Sequence, residues 1–248
     1  MARSARLLGS ALVIASVALG SAGSAYAAAA TAAPPVRSAL VASHSLGALR
    51  PVQTIAPRRA AAATPDVTFP AGVDLRAWAV TPGNQGDLNS CVPWVIDYAL
   101  LGWYSRYSGR VGQPFAPMYT YSQINGGGDY GSDATTALQL ALTQGNDTRA
   151  HYAKGDTNWS RQPTAAERTS AAAFKIKGFN TLFAGFGLGT TVTQLKTALA
   201  TNHPVAIGME VRHGFDYLGA SATAVDNDTT SAIRGYHEVL AVGYDAAG

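Results

Sequence analysis

Only one cysteine, Cys91, occurs in 248 residues, so no intramolecular disulfide can brace this chain. Charge is also scarce: 13% of residues are Asp, Glu, Lys or Arg, the net charge is +3, and the basic residues stand singly rather than in runs. That pattern lacks the basic clustering that neutralises phosphates, which argues against nucleic acid or an anionic membrane as partner. Long apolar runs are missing as well. The longest covers residues 7–20, about 14 residues, where a spanning helix needs roughly 20.

What is present begins with a leader. Residues 1–27 combine an Arg-bearing start, that apolar run, and small residues around Ala25, Tyr26 and Ala27, the order of a secretory signal peptide. The expectation is a secreted, extracellular protein with no membrane segment after signal removal. Residues 28–70 are rich in Ala and Pro without a sustained apolar face, and they read as a linker or short pro-segment. The folded domain is expected over 71–248, where 47% overall hydrophobic content can supply a core without disulfides.

Within that domain, Val92, Ile96, Ala99, Leu100, Trp103 and Tyr107 recur at helical spacing. They predict a central helix over 91–107 with Ser90 as N-cap, Pro93 in its first turn and Gly109 past its end. Further helices are expected at 132–144, capped by Ser132, and at 191–201. Short β-type runs follow at 173–179, 204–211 and 237–245. Helices first and strands later predict an α+β chain with a helical half, a sheet half and a cleft between them.

A lone cysteine is most often a small buried hydrophobe. Cys91, however, opens a helix, where the positive end of the dipole and free backbone N–H groups favour the thiolate. A thiolate nucleophile needs a proton partner, usually histidine. Of the five histidines, His44 lies in the linker, His151 in a polar loop, His203 at a helix end and His213 just past a strand. His237 instead opens a strongly apolar strand, a rigid base from which an imidazole can reach a cleft.

Four segments, taken in order, resemble the papain-like cysteine peptidases: "VDLRAWAVTPGNQGDLNSCVPW", "YGSDATTALQLALTQG", "LKTALATNHPVAIGMEV" and "GYHEVLAVGYDAAG". The resemblance spans residues 71–248 and keeps the interval from Gln85 to Cys91. It implies a two-lobed fold, a helical lobe around the central helix plus a β-barrel-like sheet lobe, in a secreted branch without disulfides. It also implies a cysteine-type endopeptidase acting as a monomer on polypeptide substrates, with no cofactor and no metal. Cys91 would be the nucleophile, His237 its proton partner, and Gln85 an oxyanion donor beside the Cys91 N–H. Gly131 and Ser132 would offer backbone groups to an extended substrate, while Asp133, Ala134, Gly208 and Tyr236 would shape the pocket for the second residue before the cut.

Several positions depart from the family. Leu88 stands where a disulfide cysteine is common, and Val92 where tryptophan usually follows the nucleophile. The residues before the domain lack the long charged helices of inhibitory prodomains, which argues against inhibition by that segment. The asparagine that the family places after the histidine strand does not occur after His237. The resemblance therefore implies either a domain incomplete at its carboxyl end or a site without its third member. Two alternatives stay open: a non-catalytic papain-like binding protein, and a Cys–His hydrolase of another kind, such as a peptidoglycan amidase or a leader-processing peptidase.

Overall fold

The computed structural model describes residues 12–16, 45–49, 68–110, 114–152, 154–182, 192–218 and 224–246, the first group by backbone alone. The central helix, α1, is built of three contiguous stretches, Cys91–Pro93, a π-wound Trp94–Leu101 and Gly102–Tyr107. Pro93 falls in the first turn, where its missing N–H costs nothing. Ser90 occupies the N-cap position but makes no side-chain capping bond, and its hydroxyl is buried without a partner. Gly109 closes the end at φ +66°, a left-handed turn that glycine adopts freely.

Around α1 lie α2 (Pro117–Ile124), α3 (Ala134–Thr143), α4 (Ala165–Ala171) and α5 (Val192–Ala200). The cap of α3 is Asp133, not the expected Ser132: its carboxylate accepts from the Thr136 N–H at 2.9 Å. Ahead of α4, Thr164 and Glu167 form a reciprocal capping box. Both α2 and α4 escape the periodicity argument, being only 8 and 7 residues long.

The strands are β1 (Leu12–Ser16), β2 (Val73–Asp74), β3 (Phe179–Thr181), β4 (Val205–Arg212), β5 (Ile233–Ala241) and β6 (Gly243–Tyr244). They form an open four-stranded sheet in the order β3-β1-β4-β5 and a two-stranded ribbon of β2 with β6. No closed barrel forms among the described residues, so the barrel-like lobe expected from sequence is an open sheet. The strand expected at 173–179 is largely a turn, Ala172–Phe174 being 3₁₀, and β3 starts only at Phe179. The leader expected over 1–27 lies mostly outside the described residues, but Leu12–Ser16 form β1, parallel to both β3 and β4.

Antiparallel β4 and β5 pair Met209 with His237 and Gly208 with Glu238. Side chains alternate along β5, so Tyr236, Glu238 and Leu240 share one face. Tyr236 and Leu240 pack against the main core, where Cys91, Val92, Ile96 and Leu100 meet Ala137, Leu138 and Ala141 of α3. A second cluster gathers Trp103, Leu75, Leu199 and Val205. Trp103 is fully buried and donates its indole N–H to the Leu75 carbonyl at 2.8 Å. Truncation of this side chain to alanine is expected to lower stability by about 3–5 kcal/mol, measured by urea unfolding.

Candidate active site

Cys91, His237, Gln85 and Glu238 line one cleft of about 610 Å³, together with Trp94 and Tyr98 of α1 and Leu240 of β5. The start of α1 supplies the thiol, the loop before it the amide, and β5 the imidazole. The backbone N–H groups of Glu238, Val92 and Cys91 itself all favour a negative sulfur. Burial opposes them and prevails, pushing the Cys91 thiol up to about 12. Only 1% of Cys91 is exposed. The thiolate expected from the helix terminus is thus suppressed in this conformation, because desolvation outweighs a few backbone dipoles.

Part of the cover over the thiol comes from residues 45–49, where Ala48 packs in one buried cluster with Cys91. Residues 45–49 cross the cleft as an extended strap. Ser132 donates its N–H to the Gly47 carbonyl at 2.9 Å and accepts from the Leu49 N–H at 2.9 Å, while the Gly47 and Ala48 N–H groups both reach the Tyr236 carbonyl at 3.3 Å. Gln85 Nε2 donates to the carbonyls of Ser45 at 3.1 Å, Leu46 at 3.4 Å and Leu88 at 2.7 Å. Ala48 is buried in one cluster with Cys91, Ala134 and Ala206. Gly47 adopts φ +132°, and a Cβ there would lie 2.1 Å from the Asn89 carbonyl oxygen, so no other residue fits.

The residues expected to hold a substrate divide accordingly. Ser132 and Tyr236 bind the strap through their backbones. Gly131 does not, its N–H being given to the Tyr121 hydroxyl at 3.2 Å. Instead its missing side chain makes room, since a Cβ would stand 2.4 Å from the Gly47 oxygen. Ala134 shares a buried cluster with Ala48, Asp133 caps α3 directly before it, and Gly208 pairs with Glu238 across β4 and β5.

Three other histidines have different surroundings. His203 Nδ1 lies 2.9 Å from the Tyr104 hydroxyl, and burial lowers its pKa. His151 pairs with Asp147 at 2.7 Å, which raises its pKa. His213 opens the 3₁₀ turn that carries Phe215, whose ring lies 5.8 Å from that of His237. His44 lies outside the described residues. Among the described residues, no group of His, Cys, Asp and Glu is arranged to hold a metal ion, and no helix is long and apolar enough to cross a membrane.

Sequence signals had pointed to Cys91, His237 and Gln85, but not to the strap or to Glu238. Nothing in "SLGAL" marks a cleft-binding segment, and Glu238 reads as an ordinary strand residue until its burial is known.

No family model matches the chain, and no curated protein does. Solved structures do. Xylellain, a cysteine protease from Xylella fastidiosa, is similar with a TM-score of 0.63 at 18% identity, over 82% of this chain and 81% of that one. The chain has a papain-like fold. A procathepsin B from Trypanosoma congolense matches with a TM-score of 0.55 at 16% identity, over 81% of this chain and 71% of that one. Digestive procathepsin L 3 of Tenebrio molitor larval midgut matches with a TM-score of 0.54 at 19% identity, over 73% of this chain but only 57% of that precursor. The papain-like fold accounts for the placement of α1 against β5, with the helix start and the histidine strand meeting at one cleft.

Proposed function

We propose that the protein is a secreted papain-like cysteine endopeptidase, held closed by residues 45–49 in the conformation described. The observation that carries this reading is the convergence of Cys91, His237 and Gln85 on one cleft already occupied by an extended peptide segment. In the open enzyme, Cys91 Sγ would attack a peptide carbonyl, and His237 would take the thiol proton and return it to the leaving amine. The Gln85 amide, released from Ser45 and Leu46, would turn with the Cys91 N–H to the developing oxyanion. The strap keeps the thiol protonated by excluding water, so inhibition needs no helical prodomain.

The test measures peptide hydrolysis and iodoacetamide labelling from pH 5 to 10, before and after limited proteolysis within residues 50–67. Opening the cleft should bring labelling and cleavage together at neutral pH. Gln85→Ala is expected to lower kcat by about a hundredfold with KM little changed, since the amide meets charge present chiefly in the transition state. A rise in KM alone would remove Gln85 from that role.

The buried, protonated thiol favours one second reading, a papain-like binding protein whose strap is a permanent part of the fold. Under that reading Cys91 stays unreactive after proteolysis, and no peptide is cut.

A further inference from the structure

Gln85 sits on a loop whose other residues, Asn84, Gly86 and Asp87, are exposed. Of the three carbonyls that its amide reaches, those of Ser45 and Leu46 belong to the strap and leave with it. The third, Leu88 at 2.7 Å, belongs to the domain and stays. An amide nitrogen carries two hydrogens, so one given to Leu88 leaves the other for an oxyanion. The placement of Gln85 in the open cleft therefore depends on where the Leu88 carbonyl points.

That carbonyl is one end of a planar peptide unit whose other end is the Asn89 N–H, so holding the N–H also aims the carbonyl. Asp129 holds it. Its Oδ1 accepts the Asn89 N–H at 2.9 Å, its backbone carbonyl accepts Asn89 Nδ2 at 2.9 Å, and its Oδ2 lies 3.4 Å from the same nitrogen. Asp129 stands 40 residues further along the chain, in the turn after α2. Oδ1 also accepts the Tyr121 hydroxyl at 2.5 Å, and that oxygen in turn accepts the Gly131 N–H at 3.2 Å. Burial first, and then the bond to Asp129, raise the Tyr121 pKa, so the hydroxyl keeps the proton it donates. None of the described ion pairs includes Asp129, whose carboxylate is given over to these neutral donors.

Resting on the peptidase reading above, we infer that Asp129 is a positioning residue: its carboxylate aims the Leu88–Asn89 peptide at the Gln85 amide and ties it to the Gly131–Ser132 edge that holds an extended chain. A carboxylate suits the task, since charge-assisted hydrogen bonds are shorter and stronger than neutral ones. Its negative charge on the N–H side also polarises the peptide unit, which makes the Leu88 carbonyl a better acceptor for Gln85. Asp129 touches no reacting atom. Through Leu88 it acts on the oxyanion donor, and so on kcat. Through Tyr121 it acts on the Ser132 edge, and so on KM.

The deciding experiment is a double-mutant cycle in the full chain, opened by limited proteolysis. Asp129→Ala is made with Gln85 intact and with Gln85→Ala, and kcat and KM are measured on one fluorogenic peptide. With Gln85 present, kcat should fall about tenfold; with Gln85→Ala in place the same change should cost less than about twofold, because the group through which Asp129 acts is gone. KM should rise in both backgrounds through the Tyr121 branch. Equal kcat losses in the two backgrounds, the result of a merely structural role, overturn the inference. Should Asp129→Ala fail to fold, Asp129→Asn carries the same cycle: its amide oxygen is a weaker acceptor, so a kcat loss of about threefold confined to the chain with Gln85 is expected, and equal losses again overturn it. If the opened wild-type chain cuts no peptide, the peptidase reading fails by itself, and the cycle is read on iodoacetamide labelling of Cys91 in the unopened chain, where Gln85 holds the strap. Labelling that Asp129→Ala speeds about tenfold with Gln85 present, and by a smaller factor without it, supports the positioning of Gln85 by Asp129, whereas equal factors overturn it.

Discussion

Replacement of Cys91 by serine in the opened protein is expected to abolish peptide hydrolysis, a loss on the order of a millionfold in kcat. A serine hydroxyl at this position has a far higher pKa than a thiol and lies in surroundings arranged for a large, polarisable sulfur. The residues of such a unit act together, so loss of the nucleophile costs about as much as loss of the whole unit. His237→Ala should fall nearly as far, whereas His203→Ala and His213→Ala should stay within a few fold, because neither lines the cleft that holds Cys91. Turnover measured with a fluorogenic peptide decides the matter. Retained activity in the Cys91→Ser chain, or equal losses at His213 and His237, would show that the chemistry lies elsewhere.

The second large effect is expected from a residue that performs no chemistry. Gly47→Val should raise the rate of Cys91 alkylation at pH 7.5 by at least a hundredfold in the unprocessed chain. In the closed conformation burial pushes the thiol up to about 12, so at that pH almost none of it is thiolate. Valine at φ +132° is strained, and its Cβ would overlap the Asn89 carbonyl oxygen, from which it would lie 2.1 Å. The strap must lift to relieve both. Removing the cover readmits water, lowers the desolvation penalty, and leaves the three backbone N–H groups acting on an accessible sulfur. An unchanged labelling rate would mean that burial of Cys91 does not depend on residues 45–49.

Three residues that line the candidate cleft, Cys91, His237 and Gln85, are legible in the sequence, and the reason is local. The central helix and its cysteine follow from apolar spacing and a run of turn residues, and the observed α1 spans the expected 91–107. Strand β4 emerged within a residue of its expected limits because Val205, Ala206 and Val211 form an apolar run fully buried in the sheet. Where the signal was weak or shared, the reading slipped. Asp133 and Ser132 are both good caps, and only the geometry shows which side chain meets the Thr136 N–H. The run at 173–179 looks like a strand, but its first residues close the α4 turn. The strap was read only as part of a linker or short pro-segment, since its binding uses backbone groups, which leave no mark in side-chain composition. Glu238 was passed over for a similar reason: burial and the lack of a partner are properties of the fold, not of the letter.

The five residues of β1 have a consequence of their own. They sit in the middle of the apolar run that the sequence presents as an export leader, yet they fill the place between β3 and β4. The two roles exclude each other in time. A segment engaged by an export channel cannot also be an inner strand, so a precursor that folds first would bury its own address label. If the leader is then cut away, two strands that were each about 4.8 Å from β1 face each other across an empty row, and β4 loses the hydrogen-bond partners along one edge. If this run does serve as an export leader, the order of export, folding and cleavage decides which of two sheets the protein carries.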